Sequence, residues 1–187
     1  MENEIKATVE ALRQGKIILY PTDTIWGIGC DATNAGAVER IFELKNRPQN
    51  KSLIVLVGQD NQLNKYVKEV PAVAWDLVEF AEKPLTIIYD HAQNLPSNVM
   101  GDDGSVAIRV VMDEFCKNVL HRFGKAIVST SANLSGEPSP SNYSEISEAI
   151  KSGVDYIVPL RQKETNLATA STIIKLSNNG DVKIIRK

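Results

Sequence analysis

The sequence is poor in cysteine and aromatic residues and contains no long apolar run. Its two cysteines, Cys30 and Cys116, lie far apart without C-x-x-C or Cys/His spacing, which argues against a disulfide framework and a structural zinc site. No stretch approaches the roughly 20 apolar residues of a transmembrane helix, and residues 1–6 are polar and acidic where a signal peptide would be basic and then apolar. We therefore expect a cytoplasmic protein that does not contact membranes and that buries both cysteines.

The charge and the length set further limits. The formal net charge of −2 gives the whole molecule no sign that favours nucleic acid or an anionic membrane. A polyanionic ligand would therefore need basic residues concentrated at one site. The 187 residues suit one hydrophobic core and are few for two, so we expect a single domain over residues 1–187.

Predicted helices and strands are intermixed along the chain without repeats or low-complexity linkers, which is typical of an α/β layered domain. Periodicity and capping residues predict helices over 5–12, 34–47, 62–69, 72–82, 113–123 and 143–151, and strands over 17–20, 53–57, 85–89, 105–110, 126–128, 172–176 and 182–186, with another near Tyr156. Residues 22–32 are predicted to be a loop because they are small and polar and include Gly27 and Gly29.

Positive charge is concentrated after the second predicted helix, in Lys45-Asn46-Arg47-Pro48. In extended backbone the side chains of Lys45 and Arg47 point to the same side, and Lys51 can add a third charge. A compact ammonium and a planar guanidinium together suit a phosphate chain. The alternative is a solvated basic turn whose charges favour the carboxyl end of the helix.

Hydroxyl groups are concentrated in Ser129-Thr130-Ser131-Ala132-Asn133-Leu134-Ser135-Gly136, directly after a short predicted strand. Ligands of α/β sheets gather at the carboxyl ends of strands, so this segment is a candidate anion site, with a Ser-rich capping turn as the alternative. The loop with Thr22, Thr24 and Trp26 can form the floor of a pocket, although a lone Trp is also typical of a core. The sequence contains neither a Walker motif nor a Rossmann G-x-G-x-x-G.

Several ordered segments carry a family resemblance. They are Pro21-Thr22-Asp23-Thr24-Ile25-Trp26-Gly27, Lys45-Asn46-Arg47-Pro48, Ser105-Val106-Ala107-Ile108-Arg109-Val110, Ser131-Ala132-Asn133, Ser171-Thr172-Ile173-Ile174 and Ile184-Ile185-Arg186. In this order they resemble the motifs of the YrdC-like family of threonylcarbamoyl-AMP synthases, and the resemblance runs over nearly the whole chain. It implies an α/β fold with a YrdC-like twisted, open, mixed sheet flanked by helices and a large concave cavity.

The resemblance also implies a function. Such an enzyme is a nucleotidyltransferase that forms L-threonylcarbamoyladenylate and pyrophosphate from L-threonine, bicarbonate and ATP, for threonylcarbamoyl-adenosine modification of tRNA. Mg²⁺ would be carried by ATP, with no protein metal site, and the partners would be downstream tRNA threonylcarbamoyl-transfer proteins, with RNA contact as an option. The implied ATP contacts are Lys45, Arg47, Lys51, Ser129, Ser131, Asn133 and Arg186, of which Lys45 and Arg47 are catalytic; the implied threonine and bicarbonate contacts are Thr22, Thr24, Arg109 and Ser171.

The chain also departs from the family pattern. It has Ala81-Glu82-Lys83-Pro84 where many relatives have W-P-G-P, and Leu56 where some have a histidine that contacts threonine. The long C-terminal extension of some relatives is absent, which predicts the compact form. Two other functions stay open: a non-catalytic RNA-binding module, and a paralogous enzyme that activates a different carbamoyl group.

Overall fold

Helices and strands are intermixed along the chain in the computed structural model, which describes residues 1–48, 53–165 and 168–187. The helices are α1 (Glu2–Arg13), α2 (Ala35–Lys45), α3 (Leu63–Tyr66), α4 (Ala72–Glu79), α5 (Glu114–Phe123) and α6 (Glu148–Gly153), with short 3-10 helices at Asp60–Gln62 and Tyr143–Glu145. The strands are β1 (Ile18–Tyr20), β2 (Gly27–Asp31), β3 (Ile54–Val57), β4 (Leu85–Tyr89), β5 (Val106–Val110), β6 (Ile127–Ser131), β7 (Tyr156–Ile157), β8 (Thr172–Leu176) and β9 (Val182–Arg186).

The nine strands of the described residues form one open sheet in the order β7-β1-β2-β6-β3-β5-β4-β8-β9. The pairs β1/β7, β3/β5 and β4/β8 are parallel, and the other neighbours are antiparallel. The predicted mixed α/β sheet flanked by helices is therefore confirmed. The single-domain boundary of 1–187 stays a prediction.

Helices pack on both faces of the sheet. On one face, α2, α3, α4 and α6 cover the larger core, in which Val38, Tyr66 and Ile150 pack against strand residues such as Val128. On the other face, α1 and α5 cover a smaller core that contains Phe115. This smaller core reaches β1, β3 and β6 but includes no residue of β4, β8 or β9, so no helix of the described residues covers that part of the second face.

Strand β2 corrects the prediction of a loop over residues 22–32. Its two glycines are required by close packing between strands and not by a turn. A Cβ atom on Gly29 would lie 2.6 Å from the carbonyl oxygen of Val128, and one on Gly27 would lie 2.8 Å from the Oγ of Ser129. Glycine inside a strand often marks such a close approach, and composition alone does not distinguish it from a loop.

Other boundaries differ by smaller amounts. Helix α2 begins after Asn34, whose side chain accepts a hydrogen bond from the amide of Ala37, and α5 begins after Asp113, which caps it in the same way. The predicted helices over 62–69 and 143–151 are wrong in extent. The first is the 3-10 turn Asp60–Gln62 followed by α3, which ends at Tyr66, and the second is the 3-10 turn Tyr143–Glu145 followed, after two residues, by α6. Among the described residues, no helix combines the length and the apolar character of a membrane span. Cys30 and Cys116 are free and buried, as predicted.

Candidate functional site

A cavity of about 310 Å³ lies on the part of the sheet that α1 and α5 leave uncovered. This volume is within the range of small-molecule sites. The cavity is lined by residues of β2, β3, β4, β5, β6, β8 and β9 and of the loops between them. Its polar lining residues are Thr24, Arg47, Arg109, Ser129, Thr130, Ser131, Ser139, Ser171 and Arg186.

The charged side chains that line the cavity are all positive in the described part of the chain. They are Arg47, Arg109 and Arg186, and no aspartate or glutamate among the described residues lines it. Arginines with several hydroxyl groups around them offer many donors in fixed directions. The cavity therefore suits an anion with several acceptor oxygens, such as a phosphate chain or a carboxylate.

Thr22 shapes the loop on the floor of the cavity. Its hydroxyl donates to the carbonyl of Ile25 at 2.8 Å, accepts the amide of Thr24 at 3.0 Å, and lies 2.9 Å from the hydroxyl of Thr24. Thr22 is buried and does not line the cavity, whereas Thr24 does. Of these two residues, Thr24 faces the cavity and Thr22 holds the loop that presents it.

Arg109 of β5 lies at the back of the cavity beside Asp23. Its Nη2 is 3.1 Å from Oδ1 of Asp23, and the two side chains are only 5% and 7% exposed. The contact lacks the alignment of a hydrogen bond, because neither Asp23 Oδ1 nor Arg109 Nε has a hydrogen-bond partner among the described residues. The other oxygen of Asp23 accepts the amide of Met112 at 2.8 Å. Arg109 thus keeps unused donor capacity in a buried position that faces the cavity.

Arg186 of β9 and Ser171 form the opposite wall. The guanidinium of Arg186 donates to the carbonyl of Ser171 from Nε at 3.1 Å and from Nη2 at 2.8 Å. The hydroxyl of Ser171 lies 2.8 Å from that of Thr86, which is fully buried. Burial lowers the pKa of Arg186, and the positive charge of Arg109 lowers it further. A bound anion would relieve this unfavourable environment of the Arg186 charge.

Lys45 is placed differently from the prediction. It is the last residue of α2, and Asn46 after it takes the left-handed conformation with a φ of 52°, so the backbone is not extended there. The ammonium is buried, does not line the cavity, and donates to the backbone carbonyls of Ser131, at 2.5 Å, and Asn133. Burial lowers the pKa of Lys45 to about 8, and the neighbouring charge of Arg47 contributes.

Arg47 lines the cavity near the end of β6, and burial lowers its pKa. The argument from extended backbone, that Lys45 and Arg47 point to the same side, is wrong because the helix ends between them. Both nevertheless lie beside the end of β6: Lys45 bonds to backbone atoms of Ser131 and Asn133, and Arg47 shares the cavity with Ser131.

The remaining predicted contacts are divided between the cavity and its surroundings. Ser129 and Ser131 lie on β6 itself, not on a loop after it, and line the cavity. Asn133 does not line it; its Nδ2 donates to the carbonyls of Leu134 and Glu137, while its buried Oδ1 has no partner among the described residues. Lys51 lies outside the described residues.

Some contributions to the cavity were not predicted. Ser139 lines it from the loop after β6, and Asp23 sets the position of Arg109. Trp26 is both core and lining, with its ring 4.9 Å from that of Tyr143. The departure at Leu56 does not touch the lining, because Leu56 is fully buried beneath α1 and α5. Asp23 lies between Thr22 and Thr24 in the motif that begins at Pro21. A carboxylate between two threonines in a loop was the signal that could have identified it as a residue of the site.

Comparison with known proteins places this arrangement in a family. The Sua5/YciO/YrdC family model, described as "Telomere recombination", matches residues 10–187. A relative from Pseudoalteromonas translucida with the name threonylcarbamoyl-AMP synthase is 33% identical over 184 residues, covering 97% of each chain. A relative of the same name from Pyrococcus abyssi is 32% identical over 94% of this chain, which spans 52% of that longer protein.

A solved structure agrees with the sequence comparison. The chain is similar to the crystal structure of P. abyssi Sua5 complexed with L-threonine, with a TM-score of 0.84 and 30% identity. The match covers 94% of this chain and 52% of that one. From the match to residues 10–187 and from these relatives, the chain belongs to the Sua5/YciO/YrdC family.

Proposed function

We propose that this chain is a threonylcarbamoyl-AMP synthase, a nucleotidyltransferase that uses L-threonine, bicarbonate and ATP. The observation that carries the proposal is the cavity, in which Arg47, Arg109 and Arg186 face one space and no carboxylate lines the described part of the wall. All three substrates bring negatively charged oxygens to that space. The relative with this name that aligns over 97% of both chains supports the same activity.

The positions of the arginines suggest two subsites. Arg47, Ser129 and Ser131 lie at the β6 side of the cavity and are proposed to bind the phosphates of ATP. Arg109 and Ser171, on β5 and just before β8, are proposed to bind threonine and bicarbonate, together with Thr24. Arg186 lies next to Ser171 and is proposed to contact the nucleotide where the two subsites meet.

The proposed reaction has two steps. The amine nitrogen of threonine bonds to the carbon of bicarbonate and water leaves, which gives N-carboxy-threonine. A carbamate oxygen then bonds to the α-phosphorus of ATP while the bond from that phosphorus to the bridging oxygen breaks and pyrophosphate leaves. Negative charge on the phosphate oxygens grows during this transfer, and fixed guanidinium and hydroxyl donors stabilise it without a covalent enzyme intermediate.

Magnesium enters this proposal as part of the substrate. The described lining offers no carboxylate to the ion, and Mg²⁺ is often held mainly by substrate phosphates and water. The proposal also places the enzyme in the cytoplasm, where tRNA threonylcarbamoyl-transfer proteins would take up the product.

A direct assay tests the proposal. The purified chain is incubated with ATP, Mg²⁺, bicarbonate and each amino acid in turn, and acyl-adenylate and pyrophosphate are measured by mass spectrometry and a coupled assay. We expect threonylcarbamoyl-AMP only with L-threonine and bicarbonate. Arg47→Met and Arg109→Met should each reduce the rate by about a hundredfold or more. Lys125→Met is the control, because Lys125 is half exposed and paired with Asp31 away from the cavity.

The outcomes separate the other candidate functions. Acyl-adenylate formation with a different amine and not with threonine would identify a paralogous carbamoyl-activating enzyme. RNA binding that weakens steeply with salt, without any nucleotide turnover, would identify a binding module instead. Absence of turnover with every amino acid would overturn the proposal.

A further inference from the structure

The last residue of α2 connects that helix to the end of β6 by three hydrogen bonds. The ammonium of Lys45 donates to the carbonyls of Ser131, at 2.5 Å, and Asn133, and the carbonyl of Lys45 accepts the amide of Ser135 at 2.8 Å. We call residues 131–135 the 131–135 turn. Both ends of this turn and its middle are thus bound to a single residue of another element.

The turn is the point where β6 leaves the sheet beside the cavity. The amide of Ala132 donates to the carbonyl of Trp26 at 3.1 Å, and the amide of Asn133 donates to the carbonyl of Ser131 at 2.9 Å. Because the carbonyl of Ser131 points to Lys45, the direction of this peptide unit depends on the ammonium. The side chain of Ser131 and the neighbouring Thr130 line the cavity, so the turn sets how these hydroxyls are presented.

Lys45 does not line the cavity, so direct contact with a nucleotide there would require its buried ammonium to move. The side chain of Lys45 is 1% exposed, and two of its three donors are used on backbone carbonyls. Moving the ammonium to a phosphate would leave the carbonyl of Asn133 without this donor and would remove one of the two donors of the Ser131 carbonyl, which costs stability. Arg47, two residues later, lines the cavity, whereas Lys45 does not.

We infer that Lys45 is a positioning residue: it fixes the 131–135 turn and acts on the bound nucleotide through that turn, without touching it. This rests on the proposed function only for the identity of the nucleotide. The geometry of the turn in the free protein is independent of any activity.

Hydrogen exchange of the ligand-free protein tests the inference, with Lys45→Met as the variant. Methionine keeps much of the stem and removes the donors, so we expect the amides of Asn133, Ser135 and Glu137 to exchange about tenfold faster or more, while sheet amides in β1 and β2 keep wild-type rates. Lys125→Met is the matched control and should leave the turn unchanged. Wild-type exchange throughout the turn in Lys45→Met would overturn the inference. If Lys45→Met fails to fold, Lys45→Gln, whose single amide reaches fewer acceptors, is measured in the same way and judged by the same criterion.

Kinetics provide a second readout. Disorder of the turn weakens ATP binding but is reversed at saturating ATP, so Lys45→Met should raise KM for ATP by about ten- to a hundredfold and change kcat by less than about threefold. A large fall in kcat at saturating ATP, with an ordered turn in the free protein, would instead show direct contact with the transition state. Lys45→Arg should not restore the wild-type KM, because a guanidinium does not fit the enclosed space, whereas a phosphate contact would be partly restored.

The two proposals fail in different ways. If no amino acid supports turnover, the proposed function is wrong, but faster exchange of the turn in Lys45→Met still supports the positioning role of Lys45. If turnover is observed and the turn of the variant is unchanged, only the positioning role is wrong.

Discussion

Arg109→Met is expected to destabilise the protein because it leaves Asp23 buried without its ion-pair partner. The pair is 3.1 Å apart and almost fully enclosed. At this distance the attraction is about 5 kcal/mol for an effective dielectric constant of about 20. Removing one partner of a buried pair costs about 3–5 kcal/mol, because the remaining charge is uncompensated. The contact lacks hydrogen-bond alignment, so we expect a loss near the lower end, about 3 kcal/mol.

A double-mutant cycle measured by urea unfolding at neutral pH checks this value. Asp23→Asn keeps an oxygen that can accept the amide of Met112, so Arg109→Met combined with Asp23→Asn should recover most of the lost stability, to within about 1 kcal/mol of wild type. The coupling energy should be at least about 2 kcal/mol, because it equals about 2 kcal/mol plus whatever Asp23→Asn costs alone. The double variant should stay inactive, because Arg109 lines the cavity. A cost below about 1 kcal/mol for Arg109→Met, or additive effects in the cycle, would refute the reasoning.

Two further predictions concern stability. Gly29→Ala should lower the free energy of unfolding in urea by about 2–3 kcal/mol, since its Cβ would lie 2.6 Å from a backbone oxygen of β6. The control Gly36→Ala in α2 should raise it by up to about 1 kcal/mol, because the nearest atom to its Cβ would be 3.5 Å away. Equal stabilities of the two variants would contradict this. Hydrogen bonds from Ser105 and from Lys175 lower the pKa of Asp103 to about 2. The stability that this carboxylate contributes is present above the pKa of the unfolded state and is lost as pH falls through the lower pKa of the folded state. The urea midpoint should therefore fall less between pH 4 and pH 2 in Asp103→Asn than in wild type.

Much of the fold follows from local patterns in the sequence. The strands at 85–89, 172–176 and 182–186 were predicted with the boundaries that the structure shows, because short apolar runs between turn residues leave few alternatives. Strand β2 was missed for a physical reason. Its Gly27 and Gly29 are required by the carbonyl and side chains of the neighbouring strand, and a residue's neighbours across a sheet are not visible in its local sequence.

The site was predictable where a sequence motif contained an arginine. Arg47, Arg109 and Arg186 were named from motifs, and the structure brings all three to one cavity. The prediction that the side chains of Lys45 and Arg47 point to the same side was wrong, because it assumed extended backbone. The left-handed Asn46 ends α2 between Lys45 and Arg47. As a result, Lys45 bonds to backbone carbonyls at the end of β6, and Arg47 lines the cavity. Asparagine tolerates that conformation better than most residues, but it adopts it in only some of the places where a helix ends.

The position of the cavity itself follows from a contrast within the central strands. A strand covered on both faces reads as continuously apolar, and β3, with Val55, Leu56 and Val57 fully buried, fits that description. On β6, residues Ile127, Ser129 and Ser131 share one face, and it changes from apolar beneath α1 and α5 to hydroxyl-bearing beyond them. On β5, Arg109 lies on this same face of the sheet, and its sequence neighbours Ile108 and Val110 lie on the opposite face. Polar residues at alternate positions of a central strand therefore indicate where the covering helices stop, and with them the part of the sheet that is free to bind a ligand.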